Sequence, residues 1–264
     1  MTLDIADAVE SAVDKTISST GAQVTALFFV VSLLKSVTGS AFGKAISDQL
    51  SSMLPPSATI SPSAGAGMSG GFPLALEMPL WLAGFSASGA LVLSIVGSIG
   101  AIRALEGSVS SLKRSHFTRN VGWVGINLAV GGLVFGIAVF IGSILLFIPG
   151  LFLLSALYLW NFYTITDGQS FIEGFKSSWQ ATSNDADPDS GFFNRYFIGS
   201  NRFRIIVTLL LTFIITGLFS FAVTAPLNLA LGQGAVLELL KIIPGAITTT
   251  FSLATLVAVY DQLG

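Results

Sequence analysis

The sequence predicts an all-α integral membrane protein: a six-helix bundle built from helical hairpins. The 264-residue chain is 52% hydrophobic and only 10% charged, whereas soluble domains carry about 25% charged residues. Several segments lack charged side chains over the roughly 20 residues that one membrane crossing needs. The longest, residues 120–166, spans 47 residues. As one helix it would extend roughly 70 Å, more than twice the hydrocarbon thickness of about 30 Å.

The first nineteen residues are unlike a secretory signal, because residues 1–14 contain four acidic side chains and no basic one. Apolar side chains recur at every fourth position of this segment, namely Ile5, Val9, Val13 and Ile17. This spacing predicts a short amphipathic helix that lies on the membrane surface or leads into the first crossing.

Counting the long uncharged segment as two crossings predicts six helices in one transmembrane domain. Their expected ranges are 18–37, 78–102, 121–147, 149–166, 204–225 and 244–261. Residues 38–76 are expected to form a flexible outer loop, since Ser, Gly, Pro and Ala dominate its second half. Residues 167–203 are expected to form a cytoplasmic interfacial segment. Phe171, Phe175 and Trp179 recur there every four residues, which predicts a helix lying in the membrane interface.

The long uncharged segment is predicted to turn back near Pro149 and Gly150, because proline lacks a backbone donor and glycine permits a sharp turn. Pro79, Pro149 and Pro244 are each expected in the first turn of an even-numbered helix, where proline costs no hydrogen bond. The Ile-Pro-Gly sequence recurs as Ile243-Pro244-Gly245. This recurrence fits a repeated hairpin, and it equally fits a general preference for Pro-Gly at outer turns.

Lysine and arginine residues predict the orientation. With six crossings, nine basic residues fall on one side and three, Lys35, Lys44 and Lys241, on the other. A single helix in place of the hairpin would leave six on each side. Because cytoplasmic loops carry the excess of basic residues, we expect a plasma-membrane protein with cytoplasmic N- and C-termini.

Polar and small side chains inside the predicted crossings indicate helix contacts. Asn127 and Asn161 are expected to face protein, because an unpaired amide in hydrocarbon costs several kcal/mol. The fifth crossing carries a hydroxyl at every fourth position: Thr208, Thr212, Thr216, Ser220 and Thr224. These hydroxyls are expected to bond carbonyls one turn back, with a polar path or lipid-headgroup site as the alternative. Small-residue stripes are predicted to mark touching helices: Ser86, Ala90, Ser94 and Ser98, and the pair Gly132 and Gly136.

The composition argues against several functional classes. The chain has no cysteine and one histidine, which excludes disulfides, thiolate nucleophiles and histidine-cluster metal sites. Ionisable side chains are absent from the middle of every predicted crossing, which argues against ion-coupled transport. The acidic group Asp185, Asp187 and Asp189 is typical of a solvated loop more than of a cation site. We expect no catalytic residue, metal, cofactor or nucleic-acid partner.

Five short sequences carry a family resemblance: Arg103-Ala104-Leu105, Ile148-Pro149-Gly150, Asp167, Ser178-Trp179 and Asn201-Arg202. In these the chain resembles an uncharacterised group of multi-pass membrane proteins with archaeal members, similar to the membrane domain of some glycerophosphodiester phosphodiesterases. The chain departs from the group by an insertion before Asn201, and we expect no soluble phosphodiesterase domain within these 264 residues. The resemblance implies a six-helix bundle and carries over no catalytic residue.

The leading hypothesis is a non-enzymatic membrane scaffold or accessory subunit that packs against membrane lipids or other membrane proteins. The alternative is a transporter or lipid-handling protein that uses the hydroxyl face of the fifth crossing. The candidate polar and structural positions are Asn127, Asn161, Thr208, Thr212, Thr216, Ser220, Pro149, Gly150 and Trp179. Neither a substrate nor an oligomeric state is predicted.

Overall fold

The computed structural model describes residues 2–53, 76–107, 111–145, 147–183, 201–231 and 234–263, and every regular element in these ranges is helical. The described helices are α1 (Ile5–Ile17), α2 (Ser19–Met53), α3 (Leu80–Glu106), α4 (Arg114–Thr118), α5 (Val121–Leu145), α6 (Phe147–Ala156), α7 (Trp160–Thr166), α8 (Phe171–Ser183), α9 (Asn201–Leu231) and α10 (Ala235–Leu263). The prediction of an all-α chain is therefore confirmed.

Five of these helices are long and apolar enough to cross a membrane: α2, α3, α5, α9 and α10. By length and composition they indicate a multi-pass membrane protein. Helix α2 continues to Met53, so residues 38–53 are helical where the sequence predicted a loop. Residues 54–75 of that predicted loop lie outside the described residues.

The three predicted outer prolines occupy different positions in their helices. Pro79 directly precedes α3, and its carbonyl accepts the N–H groups of Leu82 and Ala83 at 3.0 Å each. Pro149 is in the first turn of α6. Pro244 lies inside α10, which begins at Ala235, so its expected place at a helix start is wrong. Prolines inside membrane helices are tolerated because neighbouring groups and local adjustments satisfy the freed carbonyl.

Helices α5 and α6 form the predicted hairpin. A methyl group built on Gly142 would lie 3.1 Å from the backbone nitrogen of Gly150. Further along the chain, the Phe171 N–H donates to Oδ1 of Asn127 at 2.9 Å. Since later residues contact earlier positions of α5, the chain runs back antiparallel to it. The returning arm is two short helices, α6 and α7, where the sequence predicted one helix over residues 149–166.

The contacts divide the chain into two compact units. The first contains residues 1–24, 98–218 and 250–264. Its apolar core includes the fully buried side chains of Ile99, Phe162, Ile205 and Val257. The ring of Phe162 stacks on Tyr260 with centroids 3.8 Å apart. This core joins α3, α7, α9 and α10.

The second unit contains residues 25–97 and 219–249. A methyl group built on Gly84 would lie 3.4 Å from the ring of Phe42, so α2 and α3 pack closely there. Lys44 forms an ion pair with Glu77 at 2.6 Å on the exposed surface of this unit. The hydrogen bond from Lys44 lowers the pKa of the Glu77 carboxyl.

Helix α1 is amphipathic, as predicted, but packs through small residues. The Asp4 side chain caps it by accepting the N–H of Ala6 at 2.9 Å. Its buried face is formed by Ala8 and Ala12, while Ile17 at the end of the predicted apolar stripe is 76% exposed. The outer part of that stripe is therefore open to lipid or to a partner.

Candidate functional site at a broken helix

The most unusual polar site in the described residues is the interruption of the returning arm between α6 and α7. At this point the Trp160 N–H donates to the carbonyl of Leu157 at 3.2 Å, three residues back. Residues 151–166 contain neither proline nor glycine. The arm's own sequence therefore supplies no common cause for the interruption.

Hydroxyl groups of α8 satisfy the backbone groups freed by the interruption. Ser178 Oγ donates to the carbonyl of Ala156 at 3.0 Å and accepts the N–H of Leu159 at 3.1 Å. Thr182 Oγ1 also lies 3.3 Å from the Ala156 carbonyl. All four residues are fully buried. Because an unsatisfied backbone group away from water costs several kcal/mol, these hydroxyls stabilise the broken conformation.

A buried cation completes the site. Arg202, in the first turn of α9, is 1% exposed. Its guanidinium carbon lies 4.6 Å from the ring centre of Phe152 and 4.4 Å from that of Trp179. Its Nε donates a long hydrogen bond of 3.5 Å to Thr182 Oγ1. Cation–π attraction is strongest in such desolvated places, so Arg202 links α9 to both α6 and α8.

Local sequence explains why α8 starts where it does. Gly168 has a φ of +70°, which glycine adopts without steric cost, and it turns the chain after α7. Ser170 and Glu173 form a capping box, in which the Ser170 N–H donates to Oε2 of Glu173 at 2.9 Å. Hydrogen bonds from Ser170 lower the pKa of the Glu173 carboxyl. These contacts orient α8 so that it runs back along the returning arm.

Glycines allow the helices around the site to approach closely. A methyl group on Gly174 of α8 would lie 2.7 Å from the carbonyl oxygen of Trp160. One on Gly131 of α5 would lie 2.5 Å from the indole of Trp160. The indole also packs edge-on against Phe175, with centroids 5.1 Å apart. Only a residue without a side chain fits at these two glycine positions.

The aromatic stripe of α8 packs partly against the returning arm, and its predicted position in the membrane interface stays a prediction. Phe175 contacts Trp160, and Trp179 packs edge-on against Phe152 with centroids 5.5 Å apart. Of the predicted candidates, Trp179 alone is a direct member of this site. The predicted acidic group at residues 185, 187 and 189 lies outside the described residues.

The two predicted asparagines differ. Asn127 is 5% exposed, as expected. Its Nδ2 donates to the Trp123 carbonyl at 2.9 Å, and its Oδ1 accepts the Phe171 N–H that begins α8. Oδ1 of Asn161 is also buried, but no described group donates to it. Asn127 thus connects two helices, whereas the Asn161 oxygen is buried against protein without a donor among the described residues.

The hydroxyls on α9 bond mainly within their own helix. Thr208, Thr212 and Thr216 donate to carbonyls four residues back at 2.9, 2.8 and 2.7 Å. Thr224 donates in the same way to the carbonyl of Ser220 at 2.7 Å. Thr208 and Thr212 are buried, and Ser220 is half-buried. These donations are the ones that the packing interpretation predicted.

The close contacts of the third crossing are made by glycines other than the two predicted. Gly132 and Gly136 have no atom within 4 Å of a built methyl group, so the prediction that they mark a contact is wrong for the described chain. Gly131 and Gly142 make the close approaches instead. Gly150, at the predicted turn, also lies close to α5. A methyl group built on Gly150 would lie 2.8 Å from the backbone nitrogen of Ser143. Pro149 beside it is exposed.

Sequence reasoning missed the hydroxyls that hold the broken arm. A signal existed, because Gly174, Ser178 and Thr182 follow one another at every fourth position of α8. That is the same spacing as the hydroxyl stripe of the fifth crossing. The aromatic stripe on the same helix was the stronger pattern and concealed it. The burial of Arg202 had no comparable signal in the sequence.

Comparisons with known proteins return no match. No protein-family model matches the chain, and neither a curated protein nor a solved structure does. Within the described ranges, no group of three His, Asp or Glu side chains is arranged to hold a metal ion.

Proposed function

We propose that this multi-pass membrane protein is a non-enzymatic scaffold or accessory subunit that packs against lipids and partner membrane proteins. The observation that carries the proposal is the open apolar surface of two helices. In the most apolar 18-residue stretch of α5 only 17% is buried inside the protein, and in that of α9 only 22%. For α10 the corresponding value is 61%. Helix faces this apolar must be covered by lipid or by another helix.

Contacts within the first unit support the proposed threading, with both termini on the cytoplasmic side of the plasma membrane. Nζ of Lys15 lies 3.2 Å from a carboxylate oxygen of Asp261. Arg103 donates to the carbonyls of Ile165 at 2.9 Å and of Arg119 at 2.8 Å. These contacts bring the ends of α1, α3, α7 and α10 close to the start of α5. They fit a hairpin that returns to the side rich in basic residues.

A transporter or lipid-handling role for the hydroxyl face of α9 ranks second. A polar path needs donors and acceptors that a substrate can reach. Thr208, Thr212 and Thr216 already donate to their own helix, and the first two are buried. The family resemblance, which adds a six-helix bundle without a catalytic residue, is compatible with the scaffold proposal.

Extraction in native lipid discs, followed by mass spectrometry of everything retained, tests the proposal. We expect lipids and a membrane protein in fixed stoichiometry. Gly136→Ile should reduce that protein's recovery if it packs on α5, because the fold itself leaves this position open. Gly217→Ile on α9 is equally unobstructed and should reduce the recovery instead if the partner packs on α9. Recovery of a specific small molecule, with no protein partner, would overturn the scaffold assignment in favour of transport.

A further inference from the structure

We infer that the returning arm is a two-state element whose broken conformation is imposed by α8. In one state α6 and α7 are separate and α8 is docked, as the structure has them. In the other state α8 is released and residues 147–166 form one continuous helix. The inference concerns this arm alone and does not depend on the scaffold assignment.

The interruption between α6 and α7 has no cause in the arm's own sequence. Residues 151–166 contain no proline or glycine, and leucine, the commonest residue among them, has high helix propensity. Such a sequence favours an unbroken helix, especially in a low-dielectric surrounding where every backbone group must be bonded. The interruption must therefore be stabilised by something outside the arm.

The hydrogen bonds that α8 makes to the arm can be exchanged for backbone bonds within the arm. In a continuous helix, the Ala156 carbonyl would accept from the Trp160 N–H, and the Leu159 N–H would donate to Ser155. In the structure the Ala156 carbonyl accepts from Ser178 Oγ, and the Leu159 N–H donates to the same hydroxyl. One side chain of α8 thus replaces two backbone bonds. When it leaves, the Ala156 carbonyl and the Leu159 N–H can each bond within the arm, so both of these groups have a partner in either state.

Helix α8 docks on the returning arm through several contacts that we expect to form or to be lost together. Helix α8 is held on the arm by Gly174 against the Trp160 carbonyl and by Trp179 against Phe152 and Arg202. Gly174 lies on the buried face of α8 together with Ser178 and Thr182, and Trp179 flanks this face with 39% of its surface exposed. Packed surfaces of this kind switch between discrete arrangements more readily than they deform continuously. Release of α8 would therefore free the hydroxyls in one event.

Spin-label distance measurement on the full chain in lipid discs tests this inference. The chain has no cysteine, so Leu151→Cys and Asp167→Cys introduce the only two labelling sites. In a continuous helix their Cα atoms would be about 24 Å apart, at about 1.5 Å per residue. We expect a shorter mean distance in the otherwise unchanged chain, and a shift toward the continuous-helix value in Ser178→Ala/Thr182→Val.

Two further variants make the outcome decisive. Ser177→Ala removes a neighbouring hydroxyl that bonds Gln169 instead of the arm, and should leave the distance unchanged. Gly174→Ala pushes α8 away from Trp160 without altering either hydroxyl, and should lengthen the distance as the double variant does. It decides the question if the double variant does not fold. Amide exchange in α8 should accelerate about tenfold in both releasing variants. An unchanged distance in both, whether or not α8 exchanges faster, overturns the inference.

Discussion

The two arms of the α5–α6 hairpin have similar apolar composition but different structures. The outgoing arm, α5, is one helix of 25 residues, and most of its surface faces away from the described protein. The returning arm is interrupted after Ala156, and Ala156, Leu159 and Phe162 are completely buried. The outgoing arm is one helix although Trp160 and Gly150 approach it closely at Gly131 and Gly142. The returning arm is broken because another helix supplies the hydrogen bonds that its interruption requires.

This difference shows that hydrophobicity alone does not decide whether a membrane segment is continuous. Both arms lack charges, and the outgoing arm contains more glycine than the returning one. Intrinsic propensity would therefore favour a break in α5. Tertiary contacts reverse that expectation, because the hydroxyls of Ser178 and Thr182 bond backbone groups at the interruption.

The largest expected effect is a difference in the free energy of unfolding between substitutions on the packed face and on the open face of α5. Gly131→Leu places a side chain where a methyl group would already lie 2.5 Å from Trp160. We expect it to lower the free energy of unfolding by about 3 kcal/mol or more, as overpacking does. Gly132→Leu, on the open face, should change it by less than about 0.5 kcal/mol. Thermal unfolding in one detergent measures both, and equal losses would contradict the assignment of the packed face.

The next effect concerns the cation beside the broken arm. Arg202→Met keeps an unbranched, flexible side chain but removes the guanidinium and its attraction to Phe152 and Trp179. We expect a loss of about 2 kcal/mol or more, and a smaller loss for Arg202→Lys, which retains a charge. Arg119→Met, at an exposed position, controls for loss of one positive charge. The melting temperature measures the stability of each variant. An Arg202→Met chain as stable as the Arg119→Met control would show that Arg202 does not stabilise the site.

The smallest effect compares one asparagine on each arm. Asn127→Leu leaves the Phe171 N–H without its acceptor, so it should cost about 1–3 kcal/mol. Asn161→Leu removes an amide oxygen to which no described group donates, and should be neutral or slightly stabilising. Unfolding of both variants under the same conditions decides the matter. A larger loss for Asn161→Leu would show that its amide has an important partner.

Several features could be predicted from the residues alone. The all-helical class follows from the uncharged segments, and the turn near Pro149 and Gly150 follows from a length that one crossing cannot use. The inward position of Asn127 follows from the cost of an unpaired amide. The hydroxyl bonds of Thr208 and Thr212 follow from their spacing. Each depends on composition, periodicity or a local backbone rule, which are properties of one segment.

Other features were decided only when segments met in space. The sequence by itself determined that the chain prefers lipid to water and that residues 120–166 double back. The tertiary structure decided which glycines of α5 are contacts, that the returning arm is interrupted, and that Arg202 is buried between two rings. The physical reason is that these outcomes depend on a donor, an acceptor or a surface contributed by a different helix. No pattern within the arm itself contains the hydroxyls of Ser178 and Thr182.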